Sequence, residues 1–151
     1  MRPAQSSADL DALRGLFREY EAWVAEPRCF AGFERELAEL PGDYAPPRGL
    51  VLLALEDGAP AGCAALRRLE SDAAEMKRLY LRPACRGHGL GRRLAVAIIA
   101  AARERGYRVL RLDTLPMMSS ARALYADLGF APRGPYASEP TPGALFLELR
   151  L

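Results

Sequence analysis

Three glycines within five residues constrain this chain more than any other feature: Gly87, Gly89 and Gly91, in the run Arg86-Gly87-His88-Gly89-Leu90-Gly91, between a strand-like segment and a long amphipathic stretch. Glycine leaves main-chain N–H groups uncovered, and a helix start carries unpaired amides and roughly +0.5 of an elementary charge. With Arg86, Arg92 and Arg93 beside it, such an entry suits a phosphorylated ligand, and we read it as a pyrophosphate seat. The spacing rules out two common phosphate motifs. A dinucleotide fingerprint needs a third glycine where Arg92 stands, and a nucleoside-triphosphate loop needs a lysine that does not follow Gly91.

Around this run the chain alternates helix-like and strand-like segments. Ser7 is placed as an N-cap before Leu10, Leu13, Phe17, Tyr20 and Val24, which recur at helical spacing until Pro27 ends the pattern. Phe30, Phe33, Leu37 and Leu40 predict a second helix, and Tyr44 to Gly49 a loop, because consecutive prolines remove amide donors. Leu50–Leu55 and Ala61–Leu69 predict a hairpin through Glu56-Asp57-Gly58. A third strand, Ala74–Arg82, breaks strict alternation, since Met76 and Leu79 cannot share a face unless a bulge intervenes. Leu94, Ala97, Ile98 and Ala101 form the stripe of a helix from Leu90 that ends at Gly106. A strand at Tyr107–Asp113, a helix from Ser119 or Ser120 to Gly129, a loop at Pro132–Gly143 and a strand at Ala144–Leu151 complete the pattern.

Arg86, Gly89 and Gly91 form Arg-x-x-Gly-x-Gly, preceded by Lys77-Arg78-Leu79-Tyr80-Leu81-Arg82-Pro83 and followed by Ala121-Arg122-Ala123-Leu124-Tyr125-Ala126-Asp127-Leu128-Gly129-Phe130. Together these resemble the GNAT superfamily of acetyl-CoA-dependent N-acetyltransferases, most closely from Glu75 to Phe130. The resemblance implies an α/β (α+β) fold: a mixed, mostly antiparallel sheet with splayed central strands, flanked by helices. The bulge then falls where that fold splays two strands to admit a pantetheine arm. Met1 to Ala4 is short for the family's opening strand, which is expected to be clipped or missing. The resemblance places acetyl-CoA on Leu79, Leu81, Arg86, Gly87, His88, Gly89, Leu90, Gly91, Arg92, Ser119 and Tyr125. An asparagine often found seven residues before the family's tyrosine is replaced here by Met118, with Ser119 or Ser120 as the substitute.

Acetyl transfer to an amine requires a neutral amine, a stabilised oxyanion and a proton for the departing thiolate. An alkylamine with a pKa of roughly 10 needs a base at pH 7. Glu75 matches the base of some superfamily members, Asp113 on the next strand competes with it, and a carboxylate-bound water is the third candidate. Amides near Leu79 are expected to hold the oxyanion, and Tyr125 matches the family's leaving-group acid. His88 has a pKa suited to a base but sits between two phosphate-facing glycines, so it is read as a loop residue near the pyrophosphate. Phe30, Phe33, Tyr44 and Tyr136 are the candidate acceptor-site residues.

The 151 residues suit a single domain, 1–151. A net charge of +2 with dispersed arginines gives no case for nucleic acid. Cys29, Cys63 and Cys85 lack metal-ligand spacing, which predicts reduced thiols, a cytoplasmic protein and no metal. The longest apolar run, Leu94 to Ala102, is too short to span a bilayer. The reading reached is an N-acetyltransferase acting by direct attack on a small-molecule primary amine; a homodimer is the assembly the resemblance allows. A transferase acting on protein amines, a non-catalytic acyl-CoA sensor and an unrelated nucleotide-binding domain are the alternatives, the last lacking its motif.

Overall fold

The computed structural model describes residues 1–151. Its sheet has seven strands: β1 (Arg2–Pro3), β2 (Leu50–Glu56), β3 (Ala59–Arg68), β4 (Ala73–Leu81), β5 (Val109–Thr114), β6 (Ala131–Arg133) and β7 (Leu145–Arg150). They run in the order β1-β2-β3-β4-β5-β7-β6. Only β4 and β5 are parallel, and the connection between them carries the helix α3 (Leu90–Glu104). This is the mixed, mostly antiparallel sheet flanked by helices that the resemblance implied.

The opening strand is present but clipped to two residues. Arg2 and Pro3 pair with Leu53 and Leu52, and Ala4 N–H extends the ladder to Val51 O at 2.9 Å. The first helix, α1 (Ser7–Val24), is capped by Ser6, one residue earlier than expected. Ser6 Oγ accepts from Asp9 N–H at 3.1 Å, while Asp9 accepts from Ser6 N–H and from the Arg2 guanidinium, so three orphan polar groups satisfy one another. The second helix is shorter than expected. Phe30 closes a 3₁₀ turn, Pro27–Phe30, and α2 covers only Phe33–Glu39 after Gly32 turns the chain at φ +73°. The fourth helix, α4 (Ser119–Asp127), follows β5, and Pro132 and Arg133 belong to the edge strand β6, not to the loop.

Each face of the sheet carries its own apolar cluster. Leu94 and Ile98 of α3, both fully buried, pack with Leu66, Leu110 and Leu112. On the other face Leu13, Leu16 and Phe17 of α1 pack with Leu53 and Cys63. Burying each such side chain contributes roughly 1.5–3 kcal/mol, so the two layers hold the sheet between them.

Candidate active site

β4 and β5 pair only from Ala73–Val109 to Glu75–Arg111; beyond that point they diverge. Divergence coincides with a bulge in β4. Lys77 faces Ala65 and Tyr80 faces Cys63, so Arg78 and Leu79 together oppose a single residue of β3. Arg78 takes up the extra residue at φ +57°, a region that costs most non-glycine residues about 1 kcal/mol or more. The bulge restores the parity: Met76 and Leu79 both pack toward α3. A cleft opens between the parted strands, lined by Leu79 from β4, Asp113 and Thr114 from β5, Met118 and Tyr125 from the α4 region, and Phe30.

The glycine turn follows β4 by way of the 3₁₀ turn Pro83–Cys85 and leads into α3. Gly87 and Gly89 adopt φ +85° and +75°, and no atom lies within 4 Å of where a Cβ would project from either. Gly89 is the N-cap of α3, with neither a side-chain cap nor an acid in the first turn. The amides of α3 are therefore left for an outside acceptor, which fits a diphosphate. The arginines are arranged differently from the amides. Arg86 donates back to Leu81 O at 3.0 Å and lies over the Trp23 ring at 5.0 Å, and Arg92 is ion-paired with Asp127. His88 is exposed on the turn, Leu90 and Gly91 begin α3, and Leu81 touches Gly91 from the end of β4.

Tyr125 enters the cleft from α4, buried and edge-on to Phe130 with ring centroids 5.7 Å apart. Burial holds its phenol well above the usual value, so it is a neutral O–H donor. Asp113 is the only carboxylate on the cleft wall, and Lys77 Nζ stands 3.3 Å from it. Glu75 lies behind Lys77, 3.8 Å from its Nζ, and is saturated: Arg67 Nε donates to one oxygen at 2.7 Å and the Tyr136 hydroxyl to the other at 2.9 Å. Burial and the Glu75 carboxylate keep the Tyr136 phenol protonated as well.

The four candidate acceptor residues are not brought together. Phe30 lines the cleft; Phe33 packs behind it at 5.1 Å; Tyr136 faces Glu75; Tyr44 turns into the core and donates to Glu36 at 2.7 Å. Ser119 starts α4 next to Met118, which itself fills part of the wall and receives a contact from Thr114 Oγ1 at 3.5 Å. Sequence reasoning missed the Arg78–Glu36 pair, a two-pronged contact of 2.9 and 2.6 Å across the base of the site, and the placement of Lys77 and Tyr20 on its wall. Lys77 had one signal, as the only lysine in the chain. An arginine inside an apolar strand was the signal for Arg78.

Comparison with known proteins agrees with this geometry. The profile of the acetyltransferase (GNAT) family matches residues 11–130. An uncharacterised N-acetyltransferase of Schizosaccharomyces pombe is 35% identical over 145 residues, covering 95% of this chain and 89% of that protein. An IAA acetyltransferase of Azospirillum brasilense is 33% identical, covering 96% and 94%. Among solved structures, an acetyltransferase from Streptococcus agalactiae superposes with a TM-score of 0.84 at 20% identity, covering 99% of this chain and 96% of that one. The PaiA N-acetyltransferase of Thermoplasma acidophilum, solved with coenzyme A, superposes over the full length of both chains at 0.71 and 21% identity, which shows the shared fold. The splayed strands, the bulge in β4 and the open amides at the start of α3 belong to a chain that is a member of the GNAT acetyltransferase family, an acetyl-CoA-dependent N-acyltransferase.

Proposed function

We propose that this protein transfers an acetyl group directly to the primary amine of a small molecule, with both substrates in the cleft at once. The observation that carries this reading is the pairing of Asp113 and Tyr125 on the walls of one slot between β4 and β5. Main-chain amides of Gly87 to Gly91 and the start of α3 hold the coenzyme's diphosphate, and Leu79 and Leu81 flank its arm. The bound coenzyme supplies an acetyl thioester. Asp113 accepts a proton from the incoming ammonium, directly or through a water, leaving the nitrogen lone pair free to form the new C–N bond. Main-chain N–H groups at the Leu79 bulge face the negative charge that develops on the carbonyl oxygen. Tyr125 delivers its proton to the sulfur as the C–S bond breaks, and the nitrogen, which carries one proton too many once the C–N bond has formed, returns one to the Tyr125 phenolate, directly or through a water. Glu75, already accepting from Arg67 and Tyr136, serves Lys77 and stands second as base. Three free thiols accord with a reducing compartment.

Thiol release from acetyl-CoA in the presence of amines tests this. Asp113→Asn is expected to lower kcat/KM by about 10²-fold or more, the size of a lost general base, with coenzyme affinity unchanged. If Glu75→Gln gives that loss and Asp113→Asn does not, the base assignment moves to Glu75. Acetylation of protein amines in preference to every small amine would overturn the acceptor assignment.

A further inference from the structure

From the charges on the cleft wall we infer that the acceptor is an arylalkyl monoamine: one ammonium group on an apolar, ring-bearing body, with no second charge. This rests on the reading of the cleft as the acetyl-transfer site. Three charged side chains line it, Lys77, Arg78 and Asp113. Arg78 is fully engaged, held by both oxygens of Glu36 and stacked on Phe30 with its guanidinium carbon 4.6 Å from the ring centre. Lys77 lies between Asp113 at 3.3 Å and Glu75 at 3.8 Å. Neither cation is free to receive a carboxylate or phosphate.

An arriving ammonium takes the place of Lys77 on Asp113, and Lys77 already has Glu75 within reach, so the exchange leaves the local charge balanced. A second ammonium, as in a polyamine, would find no free carboxylate and would face Lys77 and Arg78. A carboxylate on the acceptor would lie near Asp113 and would find both cations of the wall already engaged. The remaining wall is uncharged: Val24, Leu115, Phe30 and Tyr20, the two rings packed edge-on 5.7 Å apart. Burial pushes the Tyr20 phenol and the Cys29 thiol upward, so both stay neutral. That surface matches a flat apolar body.

Initial rates of thiol release from acetyl-CoA with phenethylamine, spermidine and phenylalanine decide the matter. Phenethylamine is expected to exceed the other two by at least about 10-fold in kcat/KM, a discrimination that one apolar pocket supports. A preference for spermidine or phenylalanine overturns the inference and leaves the transferase reading standing; no release with any amine overturns both. Phe30→Leu, checked for an unchanged melting temperature, is expected to raise the KM for phenethylamine about 10-fold and that for n-butylamine little. An equal effect on the two amines overturns recognition by the ring.

Discussion

Tyr125 has the environment of a proton donor: burial keeps the phenol neutral, and no side-chain hydrogen bond fixes its hydroxyl. Donation to a free thiolate is already uphill by roughly 2 kcal/mol on reference pKa values of about 10 and 8.5, and burial of the phenol widens that gap, so the proton is expected to move in step with C–S cleavage. Tyr125→Phe removes the proton but keeps the ring against Phe130, so kcat is expected to fall about 10²-fold while the coenzyme Kd, read by calorimetry, stays within about 2-fold. Because burial raises the Tyr125 pKa, its protonated form persists through pH 10, and the wild-type rate profile should show no alkaline loss below that pH from this group. Tyr125 was picked out in the sequence by its match to the family's tyrosine, and it does line the cleft. The division of labour between Glu75 and Asp113 was not legible there. It depends on Arg67 and Tyr136, residues 8 and 61 positions from Glu75.

The element proposed to seat the coenzyme is a helix start stripped of caps. Gly89 terminates the turn at φ +75° with open space beyond it, and α3 offers its first amides outward. Gly89→Asp tolerates that backbone better than most substitutions yet sets a negative charge where the diphosphate belongs. We expect a coenzyme Kd at least about 10²-fold weaker by calorimetry, and a much smaller loss for Gly89→Asn, which has the same backbone tolerance without the charge. The glycine spacing displayed this element openly, as the broken alternation of Met76 and Leu79 displayed the bulge. What the pattern did not display was how Arg78 endures its left-handed backbone. Its guanidinium is buried against Glu36, Phe30 and Phe33, a contact across 42 positions that ties α2 to the bulge. The second helix likewise broke at Gly32, because Phe30 and Phe33 pack around that guanidinium instead of along one helical stripe.

Across the whole molecule, ion pairs tie helices to the sheet and strands to one another, and acid should reveal them. Glu36 stays below the usual carboxylate range although burial opposes it, because the Arg78 hydrogen bonds and charge prevail. The Arg111 hydrogen bond holds Glu148 below its ordinary value, and the Arg2 hydrogen bond does the same for Asp9. A carboxyl whose pKa is lowered by folding stabilises in full above its unfolded value near 4 and loses that contribution as pH falls through the folded value. Glu36→Gln is therefore expected to cost about 3 kcal/mol at pH 7 in urea unfolding, with the difference from wild type shrinking by pH 3. A gap independent of pH would show that the pair does not act through its charge. The sequence by itself determined most of the order of elements, the glycine entry to α3, the bulge and the family, because each is written in residues that are neighbours along the chain or share one periodicity. The tertiary structure alone decided which carboxylate faces the cleft, which aromatic rings line it and which cations are already spent. Those outcomes depend on charges and rings meeting across the sheet, and local spacing carries no record of such meetings.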